Sequence, residues 1–283
     1  METATATVFY LDRKPYKAEK PYFCCLPLES LKGNPPTNHV HIPEDITATN
    51  IRGGAASFSL DRNGFEVAKQ PLGDEFNYES VKPGGEIEQR YIRQMEAFLT
   101  EKLKARKVVV FDVETRKRNP QFPDGIGEKS SLEQPVRGVH VDSSPASAIE
   151  RAVYIARQEK DEEVLSGRMQ IINSWRPFFS DLEDWPLGLC DSRSVDVEDD
   201  IIPSDTVFPT NVAETLQVHH SPAHKWYFLD KQSRDELLLF KIFDSDETSS
   251  RVCPHAAIQP DLRGYGSGRP RESIETRAMI FYG

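Results

Sequence analysis

The chain has 283 residues, of which 38% are hydrophobic and 28% charged. This composition is typical of a globular protein with enough apolar material for a sizeable core. The formal net charge of −10 at pH 7 argues against a nucleic acid as the main partner, because a protein that binds a polyanion needs a basic face. No apolar run approaches the ~20 residues of a membrane-spanning helix, and the N-terminus does not have the basic and apolar regions of a secretory signal.

The cysteines argue against a disulfide framework or a zinc ribbon. Cys24, Cys25, Cys190 and Cys253 include no CxxC pair, and adjacent cysteines do not easily bridge each other. We therefore expect reduced thiols in a cytoplasmic protein without a membrane partner.

The first part of the chain, residues 1–52, is rich in Pro, Asn and Thr, as in LKGNPPTNHVHIPED. We expect an extended or loop segment that packs on the core, followed by the main domain at residues 53–283. His39 and His41 have an HxH spacing that can ligate a metal. In so irregular a segment, ordinary surface histidines are the favoured interpretation.

Two helices are predicted in the middle of the chain. Residues 86–105 carry apolar residues at helical spacing, which predicts an amphipathic helix. KVVVFDVETR follows at once and is typical of a buried strand. A second helix is predicted over ASAIERAVYIARQ, where Ser143 or Ser144 can cap the first turn and Pro145 suits it.

Strand patterns dominate the rest of the chain. They are GRMQIINSWRPFF, HKWYFLDK, DELLLFKIFDSD and ESIETRAMIFYG, and acidic, turn-rich connectors such as DSRSVDVEDDIIPSD separate them. Strands with polar loops, preceded by helices, predict a mainly β fold, a β-sandwich or jelly roll with helices covering one face.

The stretch RGVHVDSSP places His140 and Asp142 two residues apart at the end of a predicted strand. In extended backbone such residues project from the same face, so both side chains can point into the mouth of a barrel. Fe(II) accepts one imidazole, one carboxylate and a second imidazole on one triangular face. HxD alone is a weak pattern, and an ordinary partly buried polar pair is the alternative.

The third ligand of such a site must come from a distant strand. His219, His220 and His224 fall in a polar loop, QVHHSPAHKW, where surface residues are the usual outcome. His255, in RVCPHAAIQPD, follows one apolar strand and precedes the last one. This position favours His255 as the second imidazole.

The last strand, RPRESIETRAMIFYG, places Arg271, Ser273 and Arg277 at even spacings and hence on one face. An inward-facing arginine in an apolar barrel is costly unless an anion meets it. A guanidinium suits the distal carboxylate of a dicarboxylate cosubstrate. The alternative is a surface ion pair with Glu272 or Glu275, which we expect on the other side or along the edge.

The ordered motifs HxD, NSWRPFF, WPLGLCDSRSV, HKWYFLDKQSRDELLLFKIFDSD and PRESIETRAMIFY resemble a fungal family of non-haem iron oxygenases. It is the hydroxylase/desaturase family of secondary-metabolite clusters, related to gibberellin desaturases, an aspergillic-acid hydroxylase and a cephalosporin methoxylation component. The resemblance runs from about Gly53 to the C-terminus. It implies a cupin-like double-stranded β-helix that binds Fe(II) and 2-oxoglutarate.

The resemblance also implies roles for individual residues. His140, Asp142 and His255 match the metal-ligand positions. Arg271 and Arg277 match the arginines of the closing strand, either of which can hold the cosubstrate, and Ser273 offers a hydroxyl beside Arg271. Asn173 and Arg176 lie in another motif of the family and are expected to line the cosubstrate or substrate pocket. Trp175 is expected in the core, and Lys241 and Asp244 are expected to form a structural ion pair.

The implied activity is oxidation of a C–H bond of a small molecule by O2, coupled to oxidative decarboxylation of 2-oxoglutarate. Hydroxylation, desaturation and ring closure stay open, and a carboxylate-bearing substrate is expected. A metal-free jelly-roll binding module or partner subunit is one alternative, and a zinc or manganese hydrolase another. Monomer and homodimer are both compatible with the helix at residues 86–105, which can pack on its own barrel or between subunits.

Overall fold

A computed structural model of the chain describes residues 1–121 and 134–283. These residues form fourteen strands and three α-helices. The strands are β1 (Thr3–Leu11), β2 (Tyr22–Cys24), β3 (His41–Asn50), β4 (Phe65–Lys69), β5 (Lys107–Lys117), β6 (His140–Val141), β7 (Met169–Pro177), β8 (Leu187–Cys190), β9 (Ile201–Val207), β10 (Val212–Val218), β11 (Trp226–Phe228), β12 (Glu236–Asp244), β13 (His255–Ala257) and β14 (Glu272–Phe281). The helices are α1 (Leu60–Asn63), α2 (Glu86–Leu103) and α3 (Pro145–Gln158).

The strands form two sheets that pack against each other. One sheet has nine strands in the order β1-β3-β11-β8-β13-β6-β10-β9-β2, and the other has five in the order β4-β12-β7-β14-β5. Apolar side chains from both sheets, Leu189 and Leu216 from one and Trp175, Phe240 and Met279 from the other, share one buried cluster. Strands β5 to β8 and β11 to β14 alternate between the two sheets along the chain, as in a jelly roll. The predicted double-stranded β-helix is therefore confirmed.

Helix α2 covers the outer face of the five-stranded sheet. Tyr91, Met95 and Leu99 lie on one side of the helix, are fully buried, and join the same apolar cluster as Ile172 and Ile274 of the sheet. The helix ends at Leu103 because Lys104 takes a left-handed conformation, with φ of 53°. Of the two predicted packing arrangements, α2 takes the one on its own barrel.

Helix α3 begins where the sequence predicts. The side chain of Ser144 accepts a hydrogen bond from the backbone N–H of Ser147 at 3.2 Å, and Pro145 occupies the first turn. The cap fixes the position of α3 immediately after Asp142. The helix therefore lies beside the residues that follow β6.

The N-terminal segment contributes strands to the larger sheet. β1 and β3 pair along their whole length, from Thr3 opposite Thr49 to Leu11 opposite His41, and β3 continues the sheet by pairing with β11. The extended backbone predicted for residues 1–52 is thus part of the nine-stranded sheet. The domain boundary after residue 52 stays a prediction. Within the described ranges, no helix has the length and apolar character needed to span a membrane.

The inward and outward faces of the five-stranded sheet follow strand alternation. In β7, Asn173 and Trp175 face the larger sheet, whereas Ile172 and Arg176 face α2. In β14, alternation brings Ser273, Glu275 and Arg277 to the inner face. β5 carries one extra residue, Phe111, where the pairing with β14 shifts between Arg277 and Ala278.

A buried ion network lies at the C-terminal end of β12 in the five-stranded sheet. The ammonium of Lys241 lies 2.6 Å from Asp244, and Arg168 contacts the same carboxylate at 2.5 Å. Lys241 and Asp244 are both fully buried, as expected for a structural pair. Burial alone would raise the pKa of Asp244, but Arg168, Lys241 and Gln170 hold it below its ordinary value. This stabilisation is present at neutral pH and is lost as the pH falls through the folded-state pKa.

Replacing Asp244 by asparagine (Asp244→Asn) should lower the free energy of unfolding by about 3 kcal/mol, because the buried ammonium of Lys241 loses its closest counter-charge. Chemical denaturation at neutral pH measures this change. The control is Glu247→Gln, which removes a carboxylate that is 81% exposed and should cost less than about 0.5 kcal/mol. Equal losses for the two variants would contradict a structural role for the buried pair.

Candidate active site

Two histidines meet at the centre of the larger sheet. His140 on β6 and His255 on β13 are direct partners in the antiparallel register, and their ring centroids lie 4.4 Å apart. Asp142 follows β6, with its carboxylate oxygens 3.6 Å from Nε2 of His140 and 3.7 Å from Nε2 of His255. The possible ligand atoms of all three lie within 4.8 Å of one another. The structure therefore brings the three predicted ligands together.

Backbone carbonyls orient the two imidazoles. Nδ1 of His140 lies 2.8 Å from the carbonyl oxygen of Gly138, and Nδ1 of His255 lies 3.1 Å from that of Cys253. Each Nδ1 can donate its proton to a carbonyl, which leaves the lone pair of Nε2 free on the side of Asp142. Burial, with a smaller contribution from His140, lowers the pKa of His255 to about 3. His255 is thus neutral at physiological pH, as a metal ligand must be.

The carboxylate of Asp142 is held from both sides. Nδ2 of Asn173 donates to one oxygen at 2.5 Å, and Nη2 of Arg277 donates to the other at 3.2 Å. Burial would raise the pKa of Asp142, but Arg277 and the two histidines outweigh it and keep the pKa well below its ordinary value. Asp142 is therefore an ionised oxygen donor of fixed orientation.

Arg277 is surrounded by carboxylates. Besides Asp142, its terminal nitrogens contact Asp112, Glu275 at 3.3 Å and Glu114 at 3.4 Å. Burial lowers the pKa of Arg277, and these carboxylates more than reverse the effect. The side chain of Arg277 faces the barrel interior, in agreement with the sequence prediction. The guanidinium, however, already has counter-charges from the protein.

Arg271 differs from Arg277 in its partners. It is buried, with Nε donating to the hydroxyl of Ser273 at 3.1 Å, Nη1 donating to the carbonyl of Trp185 at 2.8 Å, and its plane over the ring of Trp175 at 4.8 Å. In the described ranges no carboxylate lies within ion-pair distance of it. Burial, followed by the charge of Arg116, lowers the pKa of Arg271 to about 9. A buried guanidinium in this situation favours an incoming anion.

Glu275 is a site residue that the sequence analysis missed. We expected it on the other side of the strand or along its edge, but its odd number places it on the same face as Ser273 and Arg277. Nδ2 of Asn173 donates to Glu275 at 3.0 Å. Burial raises the pKa of Glu275 to about 7, against the opposing effect of Arg277. Strand alternation was the signal that could have found it.

Arg176 lies on the opposite face of the sheet from this site, which does not favour the predicted role in the cosubstrate or substrate pocket. Its guanidinium donates to the carbonyl oxygens of Gln70 at 2.8 Å and Arg234 at 3.1 Å, and it lies over the ring of Tyr91. Arg176 is three residues from Asn173 on β7, so alternation directs the two side chains to opposite faces of the sheet.

The other histidines do not join the cluster. Nδ1 of His219 contacts the carbonyl of Leu11 at 2.8 Å, and His224 contacts Asp200 at 3.1 Å. His39 lies 2.8 Å from the hydroxyl of Ser204. In the described part of the chain, the one group of His, Cys, Asp and Glu side chains suited to a metal is His140, Asp142 and His255.

An open cavity of about 820 Å³ begins at Asp142 and Arg277. Residues of β5, α3 and the β9–β10 hairpin line it, including Phe111, Arg151 and Phe208. The volume is that of a site for a drug-sized molecule. A jelly roll that places two imidazoles beside a carboxylate at the edge of an open cavity has the ligand set of the non-haem Fe(II) oxygenases.

Comparison with known proteins agrees with this class. A family model described as oxidoreductase/YMDC permease-like domain matches residues 8–281. The Fe(II)/2-oxoglutarate-dependent dioxygenase nvfI of Aspergillus novofumigatus is 28% identical over 261 residues, which cover 89% of this chain and 88% of the relative. The hydroxylase/desaturase CTB9 of Cercospora beticola is 30% identical over 84% of this chain and 76% of its own length. The solved structure of the iron and alpha-ketoglutarate-dependent endoperoxidase NvfI superimposes with a TM-score of 0.83 at 26% identity, covering 99% of this chain and 98% of that one.

The chain therefore belongs to this oxidoreductase family, among the fungal Fe(II)/2-oxoglutarate-dependent oxygenases, hydroxylases and desaturases of secondary metabolism. It is an enzyme that uses Fe(II), 2-oxoglutarate and O2 on a small-molecule substrate. The resemblance found in the motifs is confirmed, and the alternatives of a metal-free module and a hydrolase are not supported.

Replacing Arg277 by methionine (Arg277→Met) should weaken the affinity for Co(II), a spectroscopic probe of the site, by about tenfold, the lower limit for loss of a partner that orients a ligand. The loss should be larger near about pH 6 than near about pH 8. Without the guanidinium, burial raises the pKa of Asp142, so that a proton competes with the metal at the lower pH. Anaerobic optical titration measures the affinity, and the exposed Arg263→Met is the control for loss of one charge. A loss that does not depend on pH would contradict this role for Arg277.

Proposed function

We propose that the enzyme oxidises a C–H bond of a small, carboxylate-bearing secondary metabolite, with Fe(II) held by His140, Asp142 and His255. The observation that carries the proposal is the convergence of the two Nε2 atoms and the Asp142 carboxylate within 4.8 Å, at the mouth of the cavity. Two imidazoles and one ionised carboxylate fit a divalent iron and leave three positions for other ligands. When bound, iron with 2-oxoglutarate and O2 supplies the oxidant for the C–H bond.

Arg271 and Ser273 are proposed to hold the distal carboxylate of 2-oxoglutarate. The guanidinium of Arg271 lies over Trp175, which is two residues along β7 from Asn173. Asn173 in turn donates to Asp142. Two strand residues span about 7 Å, a separation suited to a five-carbon dicarboxylate. The absence of an ion-pair partner for Arg271 in the described ranges and the buried hydroxyl beside it support the same assignment.

Asn173 and Arg277 act differently from Arg271 in this proposal. Both contact the Asp142 carboxylate, so their role is to keep that ligand ionised and oriented. Glu275 accepts from the same Asn173 amide and holds its second N–H. We therefore assign Asn173 and Arg277 as positioning residues. Arg271 is the residue that we propose to bind the distal carboxylate of the cosubstrate.

The substrate is proposed to enter the cavity between β5, α3 and the β9–β10 hairpin. Removal of one hydrogen followed by oxygen transfer would give hydroxylation, loss of a second hydrogen a double bond, and capture by an internal nucleophile a ring. The relatives include hydroxylase/desaturases and an endoperoxidase, so the same ligand set supports more than one outcome. The position of the substrate relative to the iron selects among them.

The proposal predicts an anaerobic optical signature. Metal-free protein titrated with Fe(II) and then 2-oxoglutarate should show a weak visible charge-transfer band only when both are present. His255→Ala and Asp142→Ala should abolish the band and tight iron binding, because each removes one of three ligands. His220→Ala should retain the band, because His220 lies outside the cluster. A band that survives loss of His255 or Asp142 would show that the iron site lies elsewhere.

Arg271 can be tested separately from the metal site. Arg271→Lys should lower the affinity for 2-oxoglutarate by about tenfold to a hundredfold, because a bidentate charged contact is replaced by a single ammonium. The titration above measures this affinity, and Fe(II) affinity should stay as in the wild type. The control is Arg269→Lys at the exposed arginine two residues earlier. Unchanged cosubstrate affinity in Arg271→Lys would remove Arg271 from the cosubstrate site.

A further inference from the structure

Helix α3 presents one stripe of side chains to the cavity mouth. Ser147, Arg151 and Tyr154 line the cavity and are spaced four and three residues apart, so they lie on one face of the helix. Tyr154 is 57% exposed although it is large and aromatic. This stripe faces the cavity entrance. The apolar packing of α3 against the rest of the protein is made by other residues, Ala148, Ala152, Ile155 and Ala156.

Arg151 is the cation of this stripe. Its guanidinium lies over the ring of Phe111 at 5.3 Å, and in the described ranges it makes no hydrogen bond or ion pair. Phe111 is the extra residue of the β5 bulge, and bulges near active sites often re-aim a side chain. The bulge thus supports a guanidinium whose N–H groups are available to a ligand.

Apart from Glu150, which also lines the cavity, the other charged groups there have partners within the protein. Arg277 contacts Asp112 and Asp142, Arg116 contacts Glu114 at 2.7 Å, and Glu214 contacts Lys20 at 2.5 Å. Glu150 is exposed and precedes Arg151 directly, and adjacent residues of a helix point about 100° apart. In the described ranges Arg151 is therefore the cation of the cavity that an entering anion would meet without a competing carboxylate in ion-pair contact.

We propose that Arg151, supported by Phe111, is the anchor for a carboxylate of the substrate, with Tyr154 covering the apolar part beside it. The inference rests on the proposed function, since it assigns the substrate class of that same cavity. Arg151 is seven residues beyond the helix cap Ser144, or about 10 Å along the axis, and Ser144 is two residues from Asp142. The anchored substrate is therefore an organic acid whose oxidised carbon lies several bonds from its carboxylate.

The test compares two probes of the same shape, naphthylacetate and naphthylethanol, which differ in the carboxylate. Their binding is measured by isothermal titration to anaerobic enzyme loaded with Fe(II) and saturating 2-oxoglutarate, so that the cosubstrate site is filled. The wild type should bind naphthylacetate about fivefold more tightly, the upper range for a partly exposed ion pair. Added salt should reduce this preference.

Arg151→Leu should abolish the preference while leaving the affinity for naphthylethanol within about twofold, because the apolar contacts stay. The matched control is Arg157→Leu, which removes an exposed arginine from α3 outside the cavity and should retain the preference. Equal affinities for the two probes in the wild type, no binding of either, or the same loss in both variants would overturn the assignment.

The charge-transfer band recorded on the same samples separates the two proposals. If the band is absent, the iron and cosubstrate assignment fails, and the substrate inference fails with it. If the band is present and the carboxylate preference is absent, the failure concerns Arg151 alone.

Discussion

The ion pair between Asp142 and Arg277 is the interaction on which the site depends. Asp142 follows a strand of the larger sheet and Arg277 lies on β14 of the smaller one, so their contact at 3.2 Å joins the two sheets at the mouth of the barrel. A carboxylate buried beside two imidazoles would otherwise be protonated or excluded. The arginine keeps it ionised before any metal arrives, and, against the effect of burial, the ionised carboxylate in turn raises the pKa of His140 above its ordinary value. Because β6 and β14 belong to opposite sheets of the jelly roll, this contact joins distant parts of the chain.

Arg271 and Arg277, which lie six residues apart at β14, differ in the groups that surround them. Arg271 and Arg277 both point inward, yet Arg277 has four carboxylates around it and Arg271 has a hydroxyl, a carbonyl and an indole ring. An added anion would compete with existing carboxylates at Arg277. At Arg271 it would instead relieve an uncompensated buried charge. The two arginines are of the same residue type, and it is the difference in their burial and partners that leads us to propose different roles for them.

The sequence alone was sufficient for helices α2 and α3 and for the long strands β5, β7, β12 and β14, because apolar periodicity in these segments is strong. It also placed His140, Asp142 and His255, since even spacing and strand order determine where they lie. It was insufficient for β1 and β3, whose exposed and polar positions obscure the pattern. Glu275 and Arg176 were misplaced because strand alternation was not followed along β14 and β7. Counting alternate residues along each strand would nevertheless have assigned both side chains to the correct face of the sheet.

The bulge in β5 connects the chemistry of the site with the shape of its entrance. Before the bulge, β5 pairs regularly with β14 as Val110 opposite Ala278. Beyond it, Asp112 lies opposite Arg277 and contacts that guanidinium. Because Phe111 is an extra residue, two consecutive residues of β5 point to the same face. Asp112 supplies a carboxylate to Arg277, and Phe111 supplies an aromatic ring to Arg151 of α3. Regular pairing would direct these neighbouring side chains to opposite faces. One irregularity in a strand therefore determines both the charge balance beside Asp142 and part of the lining of the cavity.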